Sequence, residues 1–431
     1  MATIQLDARH APASVSAPAA PRDGSVDLAR AFCVAIVVAL HAMMVGVAAG
    51  PSGISFFDAT ESADWLIPFS WSVQVMPLFF IIGGFSGFIA YQRLRARGAG
   101  SRSFLSSRVR RLLLPALVTI AVVGIVLVAL SAFGVPGEFV ETARFRFGQP
   151  LWFLATFLMC QALFPPLIRA HERAPWTTIL SLAGAAVAVD AARALSGIEA
   201  IGLLNLAFVW LTIQQLGVFL ARGDVDRMPR WARIAALTAA TSALLFGVLT
   251  GVYSADLLSN LNPPTTLLLL IGIAQLFLFS LLRSALSRLS RRPAAARFTG
   301  FVTPRAMTIY LWHMPVLLAM AAGVAILAVT TGNTLAEVSS TAWWLERPLW
   351  LGTAFAVSGA LAWMLAPVEQ RSARGATPSL VRAICATALG LAALVLVLAL
   401  SSSVFALFLG AALMLLSLRA LATGRASAMR S

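Results

Sequence analysis

The sequence predicts an all-α fold, a polytopic helical transmembrane bundle of about 10 core spans plus a C-terminal hydrophobic hairpin, about 11 to 12 spans in all. Three observations predict it. The 431 residues are 59% hydrophobic and 11% charged, with a mean hydropathy of +0.87, which leaves too little polar surface to cover a water-soluble fold. Apolar runs of about 18 to 25 residues, long enough to cross a hydrocarbon core of about 30 Å, recur along almost the whole chain. The basic residues, finally, segregate to one side when the N-terminus is placed inside.

The apolar runs fall at 27–48, 71–91, 112–134, 150–168, 177–192, 202–221, 234–253, 264–282, 306–330, 349–367, 382–399 and 402–418, the last two readable also as one long irregular helix. The chain has no Lys, so all 32 basic residues are Arg, and 28 of them lie in the segments that this count places inside. Only Arg144, Arg146, Arg193 and Arg347 fall outside. That division predicts a multi-pass protein of the cell membrane, bathed by the lipid bilayer, with both termini cytoplasmic. The net charge of +15 is therefore a topology signal. No nucleic-acid partner is expected, because the Arg are spread over seven segments with no stacking aromatics among them.

Residues 1–25, rich in Ala, Pro and Ser, read as a disordered cytoplasmic arm. The long polar lead, Arg30 and a His in mid-run favour an uncleaved first span over a signal sequence. Residues 26–370 then form the main membrane domain, 371–420 an additional transmembrane hairpin, and 421–431 a cytoplasmic tail. Cys33, Cys160 and Cys385 all lie in apolar runs, so neither a disulfide framework nor a metal site is expected.

Within the first span, residues 30–41 read RAFCVAIVVALH. Arg30 and His41 are eleven positions apart, which returns to nearly the same helix face and separates them by about 16 Å. With Arg30 at the interface, His41 lies near mid-depth. Inserting an ionisable group there costs about 2.5 kcal/mol or more, so it faces a bundle interior or a wet cavity. The bland account is a neutral His satisfied by a neighbouring helix, with Arg30 a snorkelling anchor paired to Asp27. A second His, His313 in TIYLWHMPV, lies about 12 Å above Arg305 by the same rise. The loop 92–115 sets Arg108 and Arg111 three apart at the foot of the third span, where they share a face and can hold a phosphate, although positive-inside anchoring explains much of this cluster.

Together these elements resemble the membrane acyltransferase-3 family, integral-membrane O-acyltransferases of bacterial type that acylate sugars and other hydroxylated acceptors of the cell envelope. The resemblance rests on the Arg30-to-His41 pattern, MPLFFIIGGFSGF at 76–88, Arg108-x-x-Arg111 leading into LLLP, LWFL at 151–154 and YLWH at 310–313, in the family's order. It implies that His41 is the catalytic histidine, that Arg30 is its essential partner, and that Arg108 and Arg111 belong to the site of the donor, acyl-coenzyme A. No bound cofactor is implied. The sequence departs from the family pattern in carrying the hydrophobic hairpin near 380–420 and no fused soluble domain.

The chemistry supports the same residues. A hydroxyl is a poor nucleophile until a base takes its proton, and a His suits that role. The thioester is already activated, so the protein must chiefly position it and stabilise the oxyanion, for which the backbone amides of Gly83, Gly84 and Gly87 are candidates against a plain helix-packing role. With no GxSxG serine and no cysteine in a polar setting, direct transfer is expected. Trp152, Asp190 and Asn205 on the outer side, together with His313 at mid-depth, are expected to form the site of a glycan or glycolipid acceptor, with His313 packing or orienting a partner. Trp343 and Trp344 read either as acceptor contacts or as an aromatic belt. The rival class is a transporter of the major facilitator type, whose span count fits. Against it, the 92–111 segment has no acidic residue and the connection 222–233 is short.

Overall fold

The computed structural model describes residues 23–50, 53–61, 63–367, 377, 379–400 and 403–422. The arm at 1–25 and the tail at 421–431 therefore fall almost wholly outside the described residues, as does most of 368–378. The helical class holds, and each of the twelve predicted runs is mostly helix. The first is α1 (Gly24–Met44), whose N-cap Asp23 accepts from the amides of Ser25 and Val26 at 3.0 and 3.4 Å. A ribbon of β1 (Val45–Gly50) and β2 (Gly53–Asp58) follows. Then come α2 (Leu66–Val73), α3 (Met76–Ala96), α4 (Gly100–Ala132), α5 (Gly137–Gly148) and α6 (Leu151–Arg173). The chain continues through α7 (Pro175–Ser196), α8 (Asn205–Ala221), α9 (Arg230–Leu249), α10 (Leu267–Ser290), α11 (Pro293–Val302), α12 (Ala306–Thr331) and α13 (Thr341–Met364). It closes with α14 (Leu380–Ala399) and α15 (Val404–Ala422), two separate helices packed on each other.

Eleven helical stretches of the described residues are long and apolar enough to cross a membrane. The remaining predicted span, 349–367, lies in α13, whose first turns carry Glu346 and Arg347. The first span is shorter than predicted. It stops at Met44 because the Gly-rich stretch that follows is drawn into an antiparallel ribbon pairing Val45 with Asp58. Gly46 makes room there for the Phe57 ring, which a Cβ would meet at 2.7 Å. The predicted loop 92–115 is also largely helix. Only 97–99 separate α3 from α4, with Gly98 and Gly100 at positive φ making the break.

The core is built on α3, α4, α6, α8 and α10, where Phe80 stacks on Trp210 at 4.4 Å. The closest seam joins α3 and α8. A Cβ on Gly84 would stand 2.0 Å from the Gln214 carbonyl oxygen, and one on Gly217 would stand 2.0 Å from that of Ile81, so only glycine permits this approach. The helices α1, α12 and α13 pack beside this core. The end of the bundle holding the start of α1 and of α4 is the arginine face, and the end holding the ribbon is the ribbon face.

Candidate functional site

On α1 the chain places Arg30 near the arginine face and His41 one turn below the ribbon. Arg30 Nη2 donates to Ser86 Oγ of α3 at 2.5 Å, and Nη1 pairs with Asp27 at 3.2 Å. A Ser in the small-residue run of a span was the only sequence signal for Ser86. Arg30 lies within electrostatic range of Arg108 and Arg111 on α4, so three cations share this end with Asp27 beside them. The Arg108 guanidinium also rests over the Phe104 ring at 5.0 Å, and its Nε has no protein partner.

His41 Nδ1 lies 2.9 Å from the Val37 carbonyl oxygen, and His313 Nδ1 lies 2.5 Å from that of Tyr310. A carbonyl oxygen only accepts, so each neutral ring carries its proton on Nδ1 and its lone pair on Nε2. The two rings are 4.8 Å apart, although they lie 272 positions apart in the chain. His313 is fully buried, with no protein partner on Nε2. His41, in contrast, lines a cavity of about 470 Å³. The same helix contributes Val34, Val37, Leu40 and Met44 to that cavity, which therefore extends about 15 Å along α1 and begins one turn above Arg30.

Trp152 of α6 also lines the cavity, its ring 6.0 Å from that of Trp210. Tyr310 is also in the wall and donates from its hydroxyl to the Pro150 carbonyl, so YLWH on α12 is fastened to the start of LWFL on α6. The polar rim at the ribbon face is Gln74, Gln149 and Asn262. Nearby, Arg146 of α5 donates to Asp58 Oδ2 of the ribbon at 3.0 Å and to Gln149 Oε1 at 3.4 Å. No local pattern could have paired Asp58 with Arg146 across 88 positions.

Three expectations change. Asp190 and Asn205 do not reach the cavity lining. Asn205 Nδ2 donates to Asp190 Oδ1 at 2.8 Å, and Thr266 donates to Asp190 Oδ2 from both its amide and hydroxyl at 2.7 Å, tying α7, α8 and the start of α10 together. Their polarity is spent on packing loops and helix ends. Gly83, Gly84 and Gly87 lie inside α3, where the helix uses their amides, and would meet Phe157, Gln214 and Phe164, so they serve close packing rather than an oxyanion. Trp343 is buried against Met43 and Ala59, and Trp344 is exposed, with neither in the cavity wall.

A bundle of apolar helices that encloses two facing histidines and a cavity, with an arginine cluster at one end, defines a multi-pass membrane protein with an internal, histidine-bearing cavity. The acyltransferase-3 family, described as an acyltransferase domain, matches residues 23–365. The chain belongs to that family, and is a membrane acyltransferase that transfers groups other than amino-acyl groups. No curated protein and no solved structure matches the chain. The match supports the enzyme over the transporter, and it leaves α14 and α15 outside its bounds.

Proposed function

We propose that the protein moves an acyl group, acetyl or another short chain, from acyl-coenzyme A to a hydroxyl of a carbohydrate-type acceptor of the cell envelope, with His41 as general base. The observation that carries this reading is the Nδ1 contact of His41 with Val37, which leaves Nε2 as the basic nitrogen of a ring on the cavity wall. In the reaction, Nε2 takes the acceptor's hydroxyl proton as that oxygen attacks the thioester carbonyl carbon. The tetrahedral intermediate collapses, the carbon–sulfur bond breaks, and the departing thiolate recovers the proton from the imidazolium.

Arg108 and Arg111 hold the donor's phosphates at the arginine face, which is the cytoplasmic one in this reading. Arg30, fixed by Ser86 and Asp27, stands where the donor's arm would enter the cavity. The acceptor enters past Gln74, Gln149 and Asn262, with Trp152 offering an aromatic face. His313 holds the position of the His41 ring.

The test compares envelope glycans and lipids from wild-type, deletion and complemented strains by mass spectrometry. The deletion strain should lose one acyl mass from one class of molecule, wild-type protein should restore it, and His41→Ala should not. Restoration by His41→Ala at the wild-type level would sink the mechanism.

A further inference from the structure

The last two described helices lie beyond the family match yet are built into the bundle. On α14 the residues Ala383, Ala386, Gly390, Ala393, Leu394 and Val397 are buried, a helical spacing that sets one narrow face against α4 and α6. Gly390 approaches Leu113 of α4 so closely that a Cβ would stand 2.3 Å from its Cδ1. At the arginine face Arg110 Nη2 donates to the Leu421 carbonyl at 2.7 Å, and within the pair Ser417 Oγ donates to that of Ala386 at 2.6 Å. The pair is thus held at its foot, and α14 has a fixed height against the core.

At the other end of α14 this position has a chemical consequence. Leu398, next to buried Val397, lines the cavity that holds His41, and it alone among the described lining residues lies beyond residue 365. The wall it joins is mainly hydrocarbon, with Leu40, Met44, Phe79 and Phe145 among its members. We propose that Leu398 is a specificity-determining residue, and that the C-terminal helix pair sets the length of acyl chain the cavity accepts. The inference rests on the acyl-coenzyme A reading above. A thioester carbonyl beside His41 leaves its hydrocarbon tail to be placed, and only the apolar wall receives it without stripping water from a polar group. The occupant is therefore the acyl chain of the donor, and Leu398 stands across its path.

The test needs no acceptor. Affinities of acetyl-, butyryl-, hexanoyl- and octanoyl-coenzyme A are measured for the purified full-length protein in lipid discs. Leu398→Ala should raise the ratio of hexanoyl to acetyl affinity by about tenfold, and Leu398→Trp should lower it by a similar factor, since one methylene in an apolar pocket is worth about tenfold or more. Val395→Ala, on the lipid-exposed side of the same helix, should leave the ratio unchanged. If the Trp variant does not fold, the Ala variant decides. Ratios within about twofold of wild type in folded Leu398 variants would overturn the proposal. A wild-type protein that binds none of the four donors would instead overturn the reading beneath it.

Discussion

The imidazole of His41 faces that of His313 at 4.8 Å, with the ring planes 59° apart and each Nδ1 held by a carbonyl of its own helix. Only His41 lines the cavity. His313→Ala should therefore reduce acyl transfer less than His41→Ala, whose loss should be about 10²- to 10⁴-fold, as for a general base. Steady-state transfer by folded variants in lipid measures both. An equal loss in the two would make the histidines one proton-transfer unit.

Arg30 bonds two partners in different directions, Ser86 and Asp27. Lysine keeps the charge but loses the planar fork, so Arg30→Lys should be impaired by about tenfold or more. Ser86→Ala should produce a smaller loss in the same direction. Full activity of Arg30→Lys would reduce the residue to an interfacial anchor.

The double variant Arg108→Gln, Arg111→Gln should weaken donor binding at low salt, and the deficit should shrink as ionic strength rises. Titrating coenzyme A at about 0.02 and 0.5 M salt reads this directly. Donor affinity equal to wild type at low salt would remove the pair from the donor site.

Arg97 and Glu138 lie exposed at opposite faces of the bundle. In a background with exposed Cys385 replaced, Arg97→Cys should react with an impermeant thiol reagent only in opened cells, and Glu138→Cys in intact ones. The reverse pattern would invert the orientation and the sides assigned to donor and acceptor.

Asp23 joins the cap of α1 to α10, accepting from Arg283 Nη2 at 2.6 Å. Burial raises its pKa, but the bonds from Ser25 and Arg283 outweigh this and hold the carboxyl below its ordinary value. A lowered folded pKa means that the stabilisation is present above the unfolded value of about 3.9 and lost as pH falls through the folded one. Asp23→Asn keeps a capping side chain and removes the charge, so it should cost about 1 kcal/mol at pH 7. The difference in thermal midpoint should narrow on acidification below about pH 4. A gap that stays constant with pH would exclude the charge as its cause.

Hydropathy located the spans because the bilayer imposes a length on every crossing segment, and counting by helical rise set His41 and His313 at similar depths. What it missed depends on contacts distant in sequence. Ser86 is 56 positions from Arg30, and Asp58 is 88 from Arg146. The same limit explains Asp190 and Asn205, whose polarity was legible while the partner Thr266 that absorbs it was not. The helices α5 and α11 lie between the predicted spans, and neither is long or apolar enough to register as one.

Where Gly84 and Gly217 let α3 and α8 touch backbone to backbone, no slack is left for either helix to roll or slide. These two helices act as a keel. Breathing that admits or releases a substrate is then left to the other boards of the hull, α1, α12 and α13, whose shared contacts include Met314 and Leu317, side chains with rotamers to exchange. His41 and His313 sit on that side, on α1 and α12, so under the mechanism proposed above a motion that opened the chamber would also reset the geometry of the reaction.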